Sequence, residues 1–131
     1  MFGLFGKKKP SRAAVEKGAI QGDFSKQDLS KLDLSRLTLE QTEFKGCDLR
    51  ESNLSGAQIS QCEFGGADLR GANLQGAVFS QCDFVGANLD LVILSKTTFE
   101  QCNLEGTVFS KSAAKRNGAS FSQCDGVEDD D

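Results

Sequence analysis

Large apolar side chains recur at every fifth position from residue 24 to residue 109, and all eighteen of these positions are Leu, Phe or Ile. The residue two positions earlier is mostly small, the residue between them is mostly Asp or Asn, and the next two are mostly polar or Gly. On an α-helix, five residues turn through about 500°, which would scatter the large side chains around the helix. On a β-strand they would alternate between its two faces. The backbone is therefore predicted to turn once in every five residues, keeping each large side chain inside.

A second period, of twenty residues, indicates how many of these turns close one coil. Gln recurs at positions 21, 41, 61, 81 and 101, and Gly at positions 46, 66, 86 and 106. Twenty residues hold four five-residue repeats, so each coil is predicted to have four sides. Stacked coils lie about 4.8 Å apart, and residues twenty apart then lie directly above one another. The predicted core columns include Phe24, Phe44, Phe64 and Phe84, and also Leu49, Leu69 and Leu89.

The register changes after Phe109. The sequence Phe-Ser-Gln-Cys at residues 79–82 returns at residues 121–124, which is 22 rather than 20 residues after the matching Phe99. We infer a two-residue insertion within residues 111–120, forming a surface bulge. The solenoid is predicted to span residues 19–125 in about five coils. Residues 1–18 are predicted to form an N-terminal apolar and basic arm with a short capping helix, and residues 126–131 an acidic disordered tail.

The consecutive sequences Ala-Asp-Leu-Arg-Gly (67–71) and Ala-Asn-Leu-Gln-Gly (72–76), with Ala-Asn-Leu-Asp-Leu at 87–91, resemble the pentapeptide-repeat family. This resemblance implies an all-β fold, the right-handed quadrilateral β-helix. It implies little about function, because the repeating residues build the core. Some members of that family resemble a DNA duplex in shape and acidity and bind type II topoisomerases. Gln27, Leu32 and Leu37 are large where the pattern expects small residues, so we expect a distorted first coil.

Composition and charge exclude several classes of function. The 131 residues contain no His, Trp or Tyr, and the formal net charge is −4. A His-ligated metal site is excluded, and direct binding of nucleic acid is disfavoured by the acidic balance. No apolar run approaches the ~20 residues of a membrane-spanning helix. The sequence offers no catalytic constellation and no Gly-rich phosphate loop, so we expect no enzymatic activity, no metal and no cofactor.

The N-terminus combines apolar and basic residues without the features of a secretory signal. The apolar side chains can enter an anionic membrane surface, where each Lys contributes roughly 1 kcal/mol. The alternative is an unstructured terminus. The candidate membrane contacts are Phe2, Leu4, Phe5, Lys7, Lys8 and Lys9.

The five Cys and the Gln column are the remaining candidates. The Cys occupy or adjoin small inward positions and are expected to be free buried thiols that act as small apolar side chains. Their odd number and the missing signal indicate a reducing cytoplasm. The Gln column is either a ladder of stacked amides or a flat stripe that binds a partner. The candidate protein contacts are Gln41, Gln61, Gln81, Gln101, Lys115 and Arg116.

Three hypotheses about function remain open. The first is a non-enzymatic binding or scaffold module in a bacterial cytoplasm, with an unidentified protein partner and tethering at the inner face of the membrane through residues 2–9. The second is a DNA mimic that binds a type II topoisomerase, although residues 22–109 mix 13 acidic with 7 basic side chains and a mimic needs a continuous negative field. The third is a homo-oligomer formed through the coil ends, which are unpaired edges that need covering. The helix at residues 11–17 and the 111–120 bulge are the candidate caps.

Overall fold

The β-strands lie on one of the four sides of the solenoid, where residues about twenty apart pair in successive coils. The structure is a computed structural model that describes residues 9–109, 114 and 117–127. These residues form helix α1 (Arg12–Lys17) and strands β1 (Thr38–Glu40), β2 (Gln58–Ser60), β3 (Val78–Ser80), β4 (Thr98–Glu100) and β5 (Ser120–Ser122). The strands pair in chain order as one parallel sheet.

The other three sides of each coil pair through single parallel bridges. Asp23 pairs with Glu43, Asp28 with Asp48, and Asp33 with Asn53. We number the sides by their central residues in the first coil, so that side 1 carries Phe24, side 2 Leu29, side 3 Leu34 and side 4, with the strands, Leu39.

The predicted fold class, an all-β solenoid with four sides, is confirmed, but the predicted number of coils is slightly too high. Five strands on one side enclose four complete turns, so the solenoid has about four coils. The prediction of about five counted the incomplete coils at both ends.

The four corners are made by a left-handed backbone at every fifth residue. From Gln21 to Gly106, each of these residues has a positive φ between 53° and 71°. After sides 1, 2 and 3 the corner is closed by a backbone hydrogen bond, as when the Cys47 amide donates to the Phe44 carbonyl at 3.1 Å, except at Leu34 in the first coil, whose carbonyl has no such bond from Leu37. A positive φ at the third residue of such a turn is characteristic of a type II turn. Gly46, at φ 65°, occupies this position without the cost that a Cβ would bring.

The interior is filled by columns of like side chains, as the twenty-residue period predicts. On side 1, the ring centroids of consecutive Phe residues lie 5.8, 5.0 and 4.9 Å apart with nearly parallel planes. On side 2, Leu49, Leu69 and Leu89 are fully buried. Burying one such side chain is worth about 1.5–3 kcal/mol, so these columns are the main source of cohesion between coils. The side 1 column consists of Phe24, Phe44, Phe64 and Phe84, and continues to Leu104.

Residues 9–17 cover the edge of the first coil. In later coils the carbonyl after each central residue accepts from the preceding coil, as Ser55 accepts from the Arg36 amide at 2.9 Å. The first coil has no preceding coil. There the Arg12 guanidinium donates to the Asp33 and Ser35 carbonyls at 2.8 and 2.9 Å, and the Lys9 ammonium donates to the Ser30 carbonyl. Two basic side chains therefore supply donors that a preceding coil would have supplied.

Helix α1 is positioned for this cap by local sequence. Ser11 is the N-cap, and its side chain accepts a hydrogen bond from the Ala14 amide, a preferred arrangement at a helix start. Val15 is fully buried. The first coil keeps its register, because Asp28 and Asp33 pair with the second coil. The expected distortion is confined to its turns: the Leu32 amide lies 3.4 Å from the Leu29 carbonyl, and the Leu37 amide makes no turn bond.

The last coil extends slightly further than predicted. Phe99 pairs with Phe121 across β4 and β5, a spacing of 22 residues, and their rings stack with centroids 5.2 Å apart. Gly126 has a positive φ, and a Cβ there would lie 2.6 Å from the backbone of Leu104 and Glu105. Val127 packs against the core. Gly126 and Val127 therefore belong to the last coil rather than to the predicted tail.

Replacing Arg12 tests the cap. We expect Arg12→Gln to lower the free energy of unfolding by about 1–2 kcal/mol, because two carbonyls lose charge-assisted hydrogen bonds. Lys17→Gln, in the same helix, removes the same charge but no contact to the coil and should cost at most about 0.5 kcal/mol. Urea denaturation measures both variants, and equal losses would contradict the capping role of Arg12.

Candidate functional site

The corner between side 4 and side 1 differs from the other three. It is occupied by Gln in every coil, with φ between 53° and 62°. Among the described residues no turn hydrogen bond closes this corner, so we call it the open corner. Its residues are Gln21, Gln41, Gln61, Gln81, Gln101 and Gln123.

The amide ladder that the Gln column suggests is limited to one contact. Gln21 Nε2 donates to Gln41 Oε1 at 3.1 Å, and within the described range no other pair of these glutamines is hydrogen-bonded. Gln41, Gln61, Gln81 and Gln101 are exposed. Their amides are therefore accessible for contacts outside the chain.

A column of carboxylates runs beside the open corner on side 1. Asp83 accepts a hydrogen bond from the Val85 amide at 2.8 Å, which holds its carboxylate against its own backbone. Glu43 and Glu63 have longer side chains, and Glu63 lies 3.1 Å from the Lys45 ammonium. The Gln and carboxylate columns together line a groove of about 460 Å³ that crosses three coils. We call it the corner groove, and its lining residues are Gln41, Glu43, Gln61, Cys62, Glu63, Gln81 and Asp83.

On side 2 two acids are each held by an arginine, whereas the corner groove contains one ion pair among the described residues, that of Glu63 with Lys45. Arg50 donates to both carboxylate oxygens of Asp48, at 2.8 and 2.7 Å, and Arg70 does the same to Asp68. These side-chain hydrogen bonds hold the pKa of Asp48 and of Asp68 below the usual range. The two faces therefore differ in electrostatic character although both carry a carboxylate column.

The cysteines have a role that the sequence analysis missed. At the open corner, the carbonyl of each central residue lacks the turn amide. Cys82 Sγ contacts the Ile59 carbonyl at 3.5 Å and Cys102 Sγ contacts that of Phe79 at 3.4 Å, and Cys47 Sγ makes the same kind of contact with the Phe24 carbonyl at a closed corner. Thr42, in the same column, donates to the Ala19 carbonyl at 2.7 Å. The residues at this position of the twenty-residue period are Thr42, Cys62, Cys82 and Cys102, and all of them carry a side-chain hydrogen-bond donor. This recurrence is the signal from which the donor role could have been predicted.

Cys47 and Cys62 are poorly suited to act as nucleophiles. All five cysteines are free, and four of them are buried. Burial raises the pKa of Cys47 and of Cys62 to about 11. Since the thiolate is the reactive form, these thiols remain neutral near pH 7 and act as hydrogen-bond donors.

Several predicted contacts fall outside the described residues. The arm residues Phe2, Leu4, Phe5, Lys7 and Lys8 and the bulge residues Lys115 and Arg116 are among them. Lys9 is described, and it lies 3.8 Å from the Asp28 carboxylate in addition to its contact with Ser30. This residue therefore anchors the arm to the first coil.

Neither a metal centre nor a membrane span emerges within residues 9–109 and 117–127. No three His, Cys, Asp or Glu side chains of this region are grouped so as to hold a metal ion. None of the helices found there is long and apolar enough to cross a membrane.

Stacked four-sided coils, left-handed corners and buried Leu and Phe columns define this protein as a β-solenoid repeat protein. The family comparison matches eight copies of Pentapeptide repeats over residues 28–66, 62–101 and 72–110. The chain belongs to the pentapeptide-repeat family, whose members are in general structural or binding modules.

Solved structures of the same fold support this assignment. A pentapeptide repeat protein, Rfr23, from the cyanobacterium Cyanothece 51142 is 17% identical with a TM-score of 0.59, covering 87% of this chain and 90% of that one. A trypsin-treated form of QnrB1, described as a plasmid-mediated fluoroquinolone resistance protein, is 21% identical with a TM-score of 0.56, covering 86% and 75%. A comparison with curated proteins found no significant match. At these identities the likeness shows the fold.

The donor role of the thiols is tested at Cys82. We expect Cys82→Ala to lower the free energy of unfolding by about 1 kcal/mol, because the Ile59 carbonyl loses its contact with the thiol and keeps only its backbone partner in the ladder. Cys82→Ser keeps a donor and should remain within about 0.5 kcal/mol of the wild type. If thermal and urea unfolding rank Ser below Ala, the thiol acts through its apolar volume instead.

Proposed function

We propose that this protein is a non-enzymatic scaffold that binds a partner protein through the corner groove. The observation that supports this is the juxtaposition of exposed amides with carboxylates along three coils, a length of about 10 Å at the usual spacing. Gln41, Gln61 and Gln81 present donors and acceptors on a rigid backbone, and rigid sites lose little conformational entropy on binding.

The charge of the groove indicates the kind of partner. Glu43, Glu63 and Asp83 lie in one column, with Lys45 as the neighbouring base. Opposite charges on two binding surfaces increase the rate of association and favour the matching partner over others. A basic segment or surface that can also hydrogen-bond to side-chain amides is therefore the expected occupant.

Residues 1–9 are the second part of the proposal. Phe2, Leu4 and Phe5 beside three lysines combine apolar partitioning with attraction to anionic lipid, the two signals that stable attachment usually requires. Lys9 joins this arm to the first coil through Ser30 and Asp28. We infer that the scaffold is held at the cytoplasmic face of a membrane by this arm.

Binding to a type II topoisomerase is the second candidate function. The carboxylate column of the corner groove and the fold shared with QnrB1 favour it. The Asp48–Arg50 and Asp68–Arg70 pairs on side 2 oppose it, because they interrupt the continuous negative field that DNA mimicry needs. A supercoiling assay with purified gyrase tests it, and we expect no effect at high molar excess.

The groove is tested by reversing its charge. We expect the double variant Glu43→Lys and Glu63→Lys to bind a basic partner protein at least about tenfold more weakly than the wild type does, as measured by retention on an affinity column. Glu51→Lys with Asp90→Lys makes the same change of charge on side 2 and should retain the partner. Lys is tolerated at residue 51 because Lys26 and Lys31 have the same left-handed backbone. Retention by the groove variant, or loss by both variants, would contradict the assignment.

The tether is tested with vesicles. Deleting residues 1–8 should reduce sedimentation with phosphatidylserine-containing vesicles by at least about tenfold, because both signals are removed. Phe2→Ser, Leu4→Ser and Phe5→Ser together keep the lysines and should show an intermediate loss. Sedimentation equal to that of the full chain would exclude the arm as a tether.

A further inference from the structure

Charge is distributed unequally along the solenoid axis. Residues 1–37 contain eight basic and four acidic side chains, whereas residues 38–131 contain seven basic and fifteen acidic ones. The net charge of −4 is therefore the sum of a positive N-terminal end and a strongly negative remainder. An anionic surface would attract one end of this molecule and repel the other.

The first coil concentrates this positive charge at its corners. Lys26, Lys31 and Arg36 occupy the corners after sides 1, 2 and 3, with φ between 61° and 63°, and all three are exposed. The same corners of the second coil carry Gly46, Glu51 and Gly56. The basic residues of the first coil form a set, which we call the basic corners, and no other coil within residues 41–106 repeats it.

Two of the four acidic side chains in the first coil are paired with the cap rather than with the basic corners. Asp28 lies near Lys9, and Asp33 lies 3.5 Å from Arg12, so both are matched by the cap. Within the described residues, neither Lys26 nor Arg36 has a carboxylate oxygen within 4 Å, and Lys31 lies 4.0 Å from Glu51. The basic corners are therefore available to an external anion.

An exposed apolar side chain lies at the same end. Ile20 is 65% exposed and precedes the first corner. Its neighbour in the next coil is Glu40, with which it forms a parallel bridge. Apolar and basic side chains at one end match the two layers of a bilayer interface, in which apolar groups enter and cations remain among the headgroups.

We propose that the basic corners and Ile20 form a second contact with an anionic lipid bilayer, so that the solenoid stands with its N-terminal coil on the membrane. This inference rests on the proposed tether. The arm supplies attachment, and the basic corners supply orientation. The corner groove then runs away from the bilayer, where a partner can reach it.

Neutralising the basic corners tests the contact in the full-length chain. We expect Lys26→Gln, Lys31→Gln and Arg36→Gln together to weaken binding to phosphatidylserine-containing vesicles by about 100-fold, since each base near the surface contributes about fivefold. Gln is the appropriate replacement because the open corner places Gln in the same left-handed backbone in every coil. The variant should retain the wild-type melting temperature.

The matched control removes three bases elsewhere. Lys45→Gln, Arg70→Gln and Lys96→Gln produce the same net charge on later coils and should weaken vesicle binding by less than about threefold. Equal losses in the two triple variants would overturn the proposal, because net charge alone would then explain the binding. If the basic-corner variant binds vesicles as strongly as the wild type, the proposed second contact is also overturned. The proposed tether would still stand in that case, provided that the protein lacking residues 1–8 fails to bind.

Orientation is measured with a single fluorophore, since the chain contains no Trp or Tyr. We expect Ile20→Trp to shift its emission to the blue and to be quenched by doxyl-labelled lipid in anionic vesicles. Val108→Trp, at a 54% exposed position in the last part of the solenoid, should show neither change. Equal quenching of both probes would overturn the upright orientation.

Two further comparisons identify the ligand. Binding to pure phosphatidylcholine vesicles should be lost, because the basic corners require anionic headgroups. Binding to a DNA duplex should be weaker than binding to anionic vesicles at the same ionic strength. A stronger association with the duplex would overturn the assignment to lipid.

Discussion

Every coil depends on the backbone ladder that joins it to its neighbours. An amide in one coil donates to the carbonyl 19 residues ahead, as Phe24 does to Glu43, while Glu43 donates back to Gly22. These bonds require the chain to return after twenty residues, and the left-handed corners make that return possible. A single coil would leave both sets of backbone groups without partners, so the columns of Phe and Leu can form only when coils stack.

This dependence explains why the ends of the solenoid are built from different residues. At the first coil, Arg12 and Lys9 supply donors to carbonyls that have no preceding coil. At the last coil, the side 1 column ends at Gly126, whose missing side chain lets the backbone approach Leu104. The ends are therefore specified by single side chains rather than by the repeat.

The open corner shows how a local change in backbone bonding creates a surface. The turn amide is absent there, and the carbonyls of Ile59 and Phe79 accept from thiols in the next coil, as the Phe24 carbonyl at a closed corner accepts from Cys47. The Gln residues at the open corner are exposed and lie beside the carboxylates of Glu43 and Asp83 and the Glu63–Lys45 ion pair. The functional proposal depends on this juxtaposition of amides and carboxylates at the unclosed fourth corner.

The amino-acid sequence was enough to predict the four-sided solenoid, its core columns and the register of Phe121, because side chains at a fixed period can share one interior only if the backbone turns at that period. It predicted the exposed Gln column but could not show that its amide ladder stops after Gln21 and Gln41, since side-chain contacts depend on the rotamers of exposed residues. The folded structure was needed to show which corner lacks its turn bond and which carbonyls the Cys thiols contact. It also decided that Arg12 and Lys9 cap the first coil, because those contacts join residues more than twenty positions apart through a cap that has no periodicity to reveal it.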